Sequence, residues 1–444
     1  MAFRCFVISY RICKGPCGGG GGVNYKTYLA NKKYDMFPEV YNIFIDKVLD
    51  KDSVEAERDA FSLNGARSYG VKLLKRLFGD TGLGVILNHK RKLRKLLKRF
   101  FGGMGLTLIL NHKRKLRKTV KWMLAVGKEL RFSDSDIFFL HDFESAYAFA
   151  RCFAFKKAVF IYHQQGDLYA EWAGFTGRKS LMYKSYLTNI FLKTVKRTGH
   201  LGVPSNGAFT SLLSNEEKIH EKLSNVQFRT LYNGFTKPEV IKTSDAIKST
   251  IDALKAFPGL RFSSVASLNY AKGVERVPRY LGQLKKAGYN IKWIIVGDGV
   301  KKRELEAAIE ANGMENDTIW IKESVPHDDI LNMFGNTDIY ILLHRFSIFD
   351  YSTIEAMSYG NIPVLSRVGG NVEVIPGENG VLVDDDADAS GLIAFLADRG
   401  SDIAALKKIN STLQERLFSE KSFLRNYYTL AESLSRGEEI TADI

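Results

Sequence analysis

Cysteine is scarce in this chain of 444 residues: Cys5, Cys13, Cys17 and Cys152 are its four. Only Cys13-x-x-x-Cys17 is a close pair. No second pair completes a zinc site, so neither a structural metal nor a disulfide framework is indicated. No apolar run approaches the roughly 20 residues that cross a bilayer. The opening Met1-Ala-Phe-Arg-Cys-Phe-Val-Ile-Ser-Tyr-Arg has too short an apolar stretch for a signal peptide and fits a first strand, so the chain reads as cytoplasmic. No Gly-x-Gly-x-x-Gly opens a helix with an acidic residue about 20 positions later, which argues against an NAD-dependent oxidoreductase. With 45% hydrophobic and 25% charged residues the composition is that of globular domains, and the length suffices for two or three.

Acidic residues are also nearly missing from one stretch. Residues 71–130 hold 17 Lys or Arg against Asp80 and Glu129 alone, which is the whole net charge of +15. The remainder of the chain is neutral. The stretch is a local duplication: Lys75–Lys95 returns 23 residues later as Lys98–Lys118, each copy ending in Asn-His-Lys-Arg-Lys-Leu-Arg-Lys. Leu93, Leu96, Leu97, Phe100 and Phe101 fall on one helical face, and Leu116, Val120, Met123 and Leu124 make a similar stripe, with cations opposite. Three readings compete. A surface helix packs its stripe on a core; a peripheral helix lays the stripe on an anionic membrane surface; a basic patch binds nucleic acid, though no recognised binding module accompanies the charge.

The C-terminal half alternates apolar runs with helical stretches. Strands are expected at Phe262–Ala266, Trp293–Val296, Ile319–Ile321, Ile339–Leu343, Ile362–Leu365 and Gly380–Val383. Helices are expected at about 274–287, 300–312, 327–334, 351–359, 371–375 and 388–398, and over 401–436. Strict alternation with short loops predicts a doubly wound parallel α/β sheet. The first half is less regular, with strands expected at Phe3–Tyr10, Ile137–Leu140, Ala158–Tyr162, Gly202–Pro204 and Gln227–Leu231. The turn-rich Leu231-Tyr-Asn-Gly-Phe-Thr-Lys-Pro238 marks a handover, which suggests domains at 1–237 and 238–425 and a C-terminal helix at 426–444 returning toward the first. Such sheets bind ligands at the carboxyl ends of their strands, so a crevice between the two is the expected site.

Several residues fall at strand ends. After Ile339–Leu343 comes a loop with Asp350, Ser352 and Thr353, then a helix with Glu355 in its opening turn and Gly360 at its end. A helix N-terminus offers unpaired amides and a positive dipole end to phosphate oxygens, and Glu355 can accept hydrogen bonds from sugar hydroxyls. The plainer alternative is a capped helix whose acid complements its dipole. The run Gly18–Gly22, with Gly19, Gly20 and Gly21 at its centre, follows the first strand and precedes a helix expected from about Asn24. Glycines there let amides approach an anion or sugar, or they form a plain flexible loop; a P-loop's Gly-Lys-Ser/Thr ending is missing. His163 closes Phe160-Ile-Tyr-His, Lys272-Gly273 follows another strand, and Gly297-Asp-Gly299 reads as a turn with close backbone packing.

Taken together, the chain resembles the family-4 retaining glycosyltransferases of the GT-B fold, also described as glycosyl transferases group 1. The residues that carry the resemblance are Ala266-Ser-Leu-Asn-Tyr-Ala-Lys272-Gly273, Ile295-Val-Gly297-Asp-Gly299, Val325-Pro326, Ser347-x7-Glu355-Ala-Met-Ser-Tyr-Gly360-Asn-Ile-Pro363, Gly369-Gly370-x-x-Glu373 and Glu378-Asn-Gly380. The resemblance implies two Rossmann-like domains, transfer of a sugar from a nucleotide sugar (a UDP-sugar by expectation) with retention of configuration, and no essential metal or cofactor. It assigns catalytic roles to His163, Lys272 and Glu355. Glu355 would bind the ribose and Lys272 the diphosphate, helped by amides near Tyr351, Ser352 and Thr353. Amides at Phe349 and Asp350 would face the donor sugar, His163 would contact it, and the glycine run would meet the sugar-diphosphate. Ser267, Gly297, Val325 and Ser347 complete the expected donor site.

Two positions depart from the family pattern. Ser347 stands where an acidic residue is usual, and Ser267 where an arginine is usual, which removes a bidentate phosphate clamp. Asp350 is a candidate replacement for the missing acid. The functional expectation is a glycosyltransferase acting on a lipid-linked saccharide acceptor in bacterial surface polysaccharide assembly, peripheral at the inner face of the cell membrane. The alternative is a weak or inactive nucleotide-sugar-binding protein.

Overall fold

The structure, a computed structural model, describes residues 3–10, 20–37, 39–45, 48–50, 103–155, 157–163, 168–169, 172–173, 179–214, 217–223, 226–323 and 325–438. Cys13, Cys17, Gly18, Gly19 and the first basic copy at 75–95 lie outside the described residues. The chain divides into two compact units. One comprises Met1–Val203, Leu212–Thr230 and Tyr427–Ile444; the other comprises Pro204–Ser211 and Leu231–Asn426.

The first unit is a seven-stranded sheet of β1 (Cys5–Ile8), β2 (Val40–Ile43), β3 (Val48–Asp50), β4 (Ile137–Leu140), β5 (Ala158–Ile161), β6 (Gly199–Val203) and β7 (Gln227–Thr230), in the order β3-β2-β1-β4-β5-β6-β7. Neighbours run parallel except β2 and β3. β1 and β4 are buried at every residue, as their unbroken apolar runs require of a parallel sheet covered on both faces. β2 and β3 were not expected from the sequence. In β2 the pattern is masked by Asn42, a buried polar side chain whose Nδ2 donates to Asn24 Oδ1 at 2.8 Å and to Thr27 Oγ1 at 2.9 Å. The helix bearing those partners, Gly20–Tyr34, starts four residues earlier than expected. Gly20 and Gly21 are therefore helix residues and not an open loop.

The second basic copy leads into one helix, Gly103–Glu129. Its stripe faces inward: Leu116 and Met123 are buried, with Trp122 and Val126 beside them. The helix packs on Phe143–Cys152 and Leu181–Thr198. Leu116 and Met123 are thus covered by protein and not free to lie on a membrane, whereas Val120 is half-buried and Leu124 exposed; the first stripe, Leu93 to Phe101, lies outside the described residues. Lys113, Arg114, Arg117, Lys118 and Lys121 stay on the solvent side.

The second unit is a six-stranded, all-parallel sheet of β8 (Leu260–Val265), β9 (Ile291–Val296), β10 (Thr318–Ile321), β11 (Ile339–Leu342), β12 (Ile362–Ser366) and β13 (Val381–Val383), in the order β10-β9-β8-β11-β12-β13. That is the doubly wound Rossmann order, with the winding reversing between β8 and β11. All six expected strands are present. The helix Asp245–Ala256 ahead of β8 was not anticipated. The long C-terminal helix is two, Ile403–Phe418 and Glu420–Arg436, separated at Ser419 in extended conformation. Ser419 Oγ accepts from the amide of Ser422 at 3.2 Å, a local cap that restarts the helix. At the amino ends of the strands, Asp338 accepts both Arg261 Nε and Nη2 at 2.8 Å and Lys407 Nζ at 3.1 Å.

Candidate functional site

The winding of the second sheet reverses between β8 and β11, so the loops leaving their carboxyl ends part to opposite faces and leave a cleft for a ligand. Lys272 lies in the loop after β8. Asn269 Oδ1 shapes that loop by accepting the amides of Ala271 at 3.0 Å and Lys272 at 3.2 Å. Gly273 has φ +60°, and a Cβ there would fall 2.1 Å from the carbonyl oxygen of Leu343, so only glycine lets the two loops approach. Gly297 follows the same logic at the end of β9, where a Cβ would meet the Ala266 carbonyl at 2.0 Å. Its place is a tight crossing of backbones, as its sequence suggested.

Asp350 ends the loop after β11 and occupies the N-cap of the helix Tyr351–Ser358. Its Oδ2 accepts from Lys272 Nζ at 2.6 Å and from His344 Nε2 at 2.8 Å. Burial acts to raise the Asp350 pKa, but the Lys272 charge and the His344 hydrogen bond outweigh it and hold the carboxyl well below the usual range. His344 is itself fully buried, and burial lowers its pKa despite Asp350. A neutral imidazole donating to an ionised carboxylate is the resulting state.

The rest of that helix start is polar and engaged. Ser352 Oγ lies 2.7 Å from the hydroxyl of Tyr340. Burial pushes the Tyr340 phenol well above its ordinary pKa, so it stays protonated. Thr353 is buried, and its amide and those of Tyr351 and Ser352 belong to the first turn of the helix. Glu355, one turn on, is nearly buried and lies 3.1 Å from His327 Nε2.

The other expected donor-site residues differ in their burial. The Phe349 ring is buried against Tyr232 and Phe418, at 5.3 and 5.1 Å between centroids. Ser347 is buried, and its hydroxyl has no partner among the described residues. Ser267 is exposed in the Lys272 loop, and Val325 packs half-buried against the core.

In the first unit the winding reverses between β1 and β4. Asp142, just after β4, accepts Ser9 Oγ and the Tyr10 amide, both at 2.7 Å, and caps the helix Phe143–Cys152 through the Ser145 amide. His163 follows β5, and its Nε2 lies 3.1 Å from His141 Nδ1 with the rings stacked. Burial, then the neighbouring His163, keeps His141 neutral.

Sequence reasoning missed several of these groups. His344, His141 and His327 each end a strand or open a helix, but a lone histidine signals little until its partner is in place. Arg276 was also missed; it ties the two loops together, Nη1 donating to the Leu343 carbonyl at 3.1 Å and Nε to Asp386 at 2.8 Å. Glu373 accepts the amides of Asn206 and Gly207 and the hydroxyl of Tyr232 at 2.8–3.0 Å, so it clamps backbone in the second unit. Among the described residues no three His, Cys, Asp or Glu side chains converge as metal ligands would.

Residues 258–412, within the second unit, match the family described as glycosyl transferases group 1. That unit thus carries a group 1 domain, and Lys272, Asp350 and Glu355 fall inside it. Over 124 residues the chain is 27% identical to a phosphatidylinositol N-acetylglucosaminyltransferase subunit of Arabidopsis thaliana, covering 28% of each. The chain spans about a quarter of the length of the curated relatives it matches. A glycosyltransferase from Rickettsia africae shares the fold across 97% of this chain and 98% of its own, with a TM-score of 0.54 and 16% identity. HepE of Anabaena, solved in complex with UDP, matches 71% of this chain and 82% of its own at TM-score 0.54 and 17% identity. These likenesses establish the two-domain Rossmann-like fold of GT-B glycosyltransferases.

Proposed function

We propose that this chain is a glycosyltransferase that moves a sugar from a nucleotide-sugar donor, a UDP-sugar by expectation, to a lipid-linked saccharide acceptor with retention of configuration. The observation that carries the reading is the Lys272 ammonium at the switch point of the second sheet, beside the start of the helix Tyr351–Ser358 that also bears Glu355. A departing nucleoside diphosphate develops negative charge, and a lysine with helix-terminal amides stabilises that charge. Glu355 accepts hydrogen bonds from the ribose hydroxyls. The sugar-contact role of His163 rests on the family resemblance.

Support for a lipid-linked acceptor comes from two sides. One relative's name specifies a phosphatidylinositol acceptor for that protein. The solvent side of the helix Gly103–Glu129 carries six cations between Lys113 and Lys121, of which Lys115 pairs with Glu144. Each cation near an anionic bilayer contributes about 1 kcal/mol. With Leu116 and Met123 buried, attachment through this helix rests on its charge. The bacterial surface-polysaccharide setting rests on the family resemblance.

A panel of UDP-, GDP- and ADP-sugars tests the reading, with thermal shift for binding and mass spectrometry for transfer. One donor class should raise the melting temperature and yield product, and Lys272→Met should lower the rate on the order of 10²–10³-fold. Binding without turnover would identify a nucleotide-sugar-binding protein. Failure of every donor to bind would overturn the reading.

A further inference from the structure

Lys272 does not stand as a bare cation awaiting a phosphate. Asp350 Oδ2 sits 2.6 Å from its Nζ. An aspartate at an N-cap ordinarily folds its carboxylate back onto the first amides of its helix. Asp350 occupies the N-cap of Tyr351–Ser358 yet makes no side-chain cap bond, its carboxylate being turned onto the lysine instead. Behind it, His344 has no exposed side-chain surface and donates to the same oxygen at 2.8 Å. The carboxylate is thus anchored on one side by a buried group and paired on the other with a partly exposed ammonium.

We propose that Asp350 is a specificity-determining counter-anion: its carboxylate holds Lys272 until the diphosphate of a nucleotide displaces it, so that donor binding is the exchange of one anion for another. This rests on the reading that Lys272 meets the diphosphate. A carboxylate cannot remain on the ammonium while phosphate oxygens take that place, because two anions on one cation repel. A diphosphate carries enough charge to win, since it engages the ammonium and the amides of Tyr351, Ser352 and Thr353 together. A neutral nucleoside gains nothing from the exchange, and a monophosphate gains less. Once displaced, Asp350 keeps His344 as a donor and is not left buried without a partner. The internal ion pair therefore sets a threshold of ligand charge below which the site stays closed to anions.

The test is calorimetric titration of UDP, inorganic pyrophosphate and uridine into the full chain, as wild type, Asp350→Asn, Asp350→Ala and Lys272→Met. Removing the competing charge should tighten UDP and pyrophosphate by roughly tenfold or more in both Asp350 variants and leave uridine unchanged. Using two variants guards against an asparagine that misplaces the loop. Equal or weaker UDP binding in both, with Lys272→Met weaker still, overturns the counter-anion and leaves the functional reading intact. UDP binding that Lys272→Met does not weaken overturns both.

Discussion

His327 Nε2 lies 3.1 Å from Glu355 Oε1, so the carboxylate assigned to the nucleotide's ribose already has a partner from the helix that follows β10. That partner is more than half exposed, whereas Glu355 is 12% exposed. Replacing Glu355 by Ala should keep the fold and weaken UDP about 10- to 100-fold, the worth of charge-assisted hydrogen bonds. Replacing His327 by Ala should change affinity far less. Calorimetry on both variants reads this, and an unchanged Kd for Glu355→Ala removes that residue from the site.

Gly273→Ala introduces a methyl group against the Leu343 carbonyl at a backbone angle that alanine rarely adopts. The Lys272 loop must move to accept it. We expect a loss of about 1–3 kcal/mol of stability, read by urea denaturation, together with weaker UDP binding. Full retention of both would show that the two loops are free to separate.

Asp338 makes a pH prediction at the other end of β11. Burial acts to raise its pKa, but Arg261 and Lys407 outweigh it, and the folded pKa lies below the ordinary carboxylate value. The unfolded chain therefore binds the proton more readily. The carboxylate's stabilisation is complete above the unfolded pKa of about 4 and is lost as pH falls through the folded value. Asp338→Asn should cost on the order of 3 kcal/mol near pH 7. The gap between variant and wild type should narrow below pH 4. A gap that widens on acidification would reverse the assignment.

The basic helix separates charge from packing. Charge reversal at Arg117 and Lys121, both exposed, should abolish sedimentation with anionic vesicles while the melting temperature stays put. Leu116→Ala, at a buried position, should do the opposite, with a stability loss of about 2–5 kcal/mol and vesicle binding retained. Equal sedimentation with neutral and anionic vesicles would sink the electrostatic attachment.

What the sequence made legible follows from where apolar runs are unbroken. Ile339–Leu342 and Ile362–Ser366 are buried at every residue, and such runs declare themselves. β2 stayed hidden because Asn42 interrupts it, and the buried Nδ2 of that side chain finds its acceptors on a helix some eighteen positions away. The amphipathic stripe of Gly103–Glu129 was plain to see, but periodicity does not say what covers a stripe. Protein does, through Phe143–Cys152 and Leu181–Thr198. In the candidate site, Lys272, Asp350 and Glu355 could be named from their positions at a strand end and a helix start. Their pairing could not, because Lys272 and Asp350 are 78 residues apart and only the sheet order brings them within 2.6 Å. His344 is invisible for the same reason.

Asp338 and His344 bracket β11, one just before its first residue and the other just beyond its last, which at about 3.3 Å per residue places them roughly 20 Å apart. Distant sites with no shared partners respond to substitution almost independently. A laboratory lineage steered toward a new donor by changes near Lys272 could be made robust beforehand at the Arg261–Asp338–Lys407 edge, so that variants otherwise lost to unfolding survive selection. In that sense the strand insulates adaptability at one end from endurance at the other.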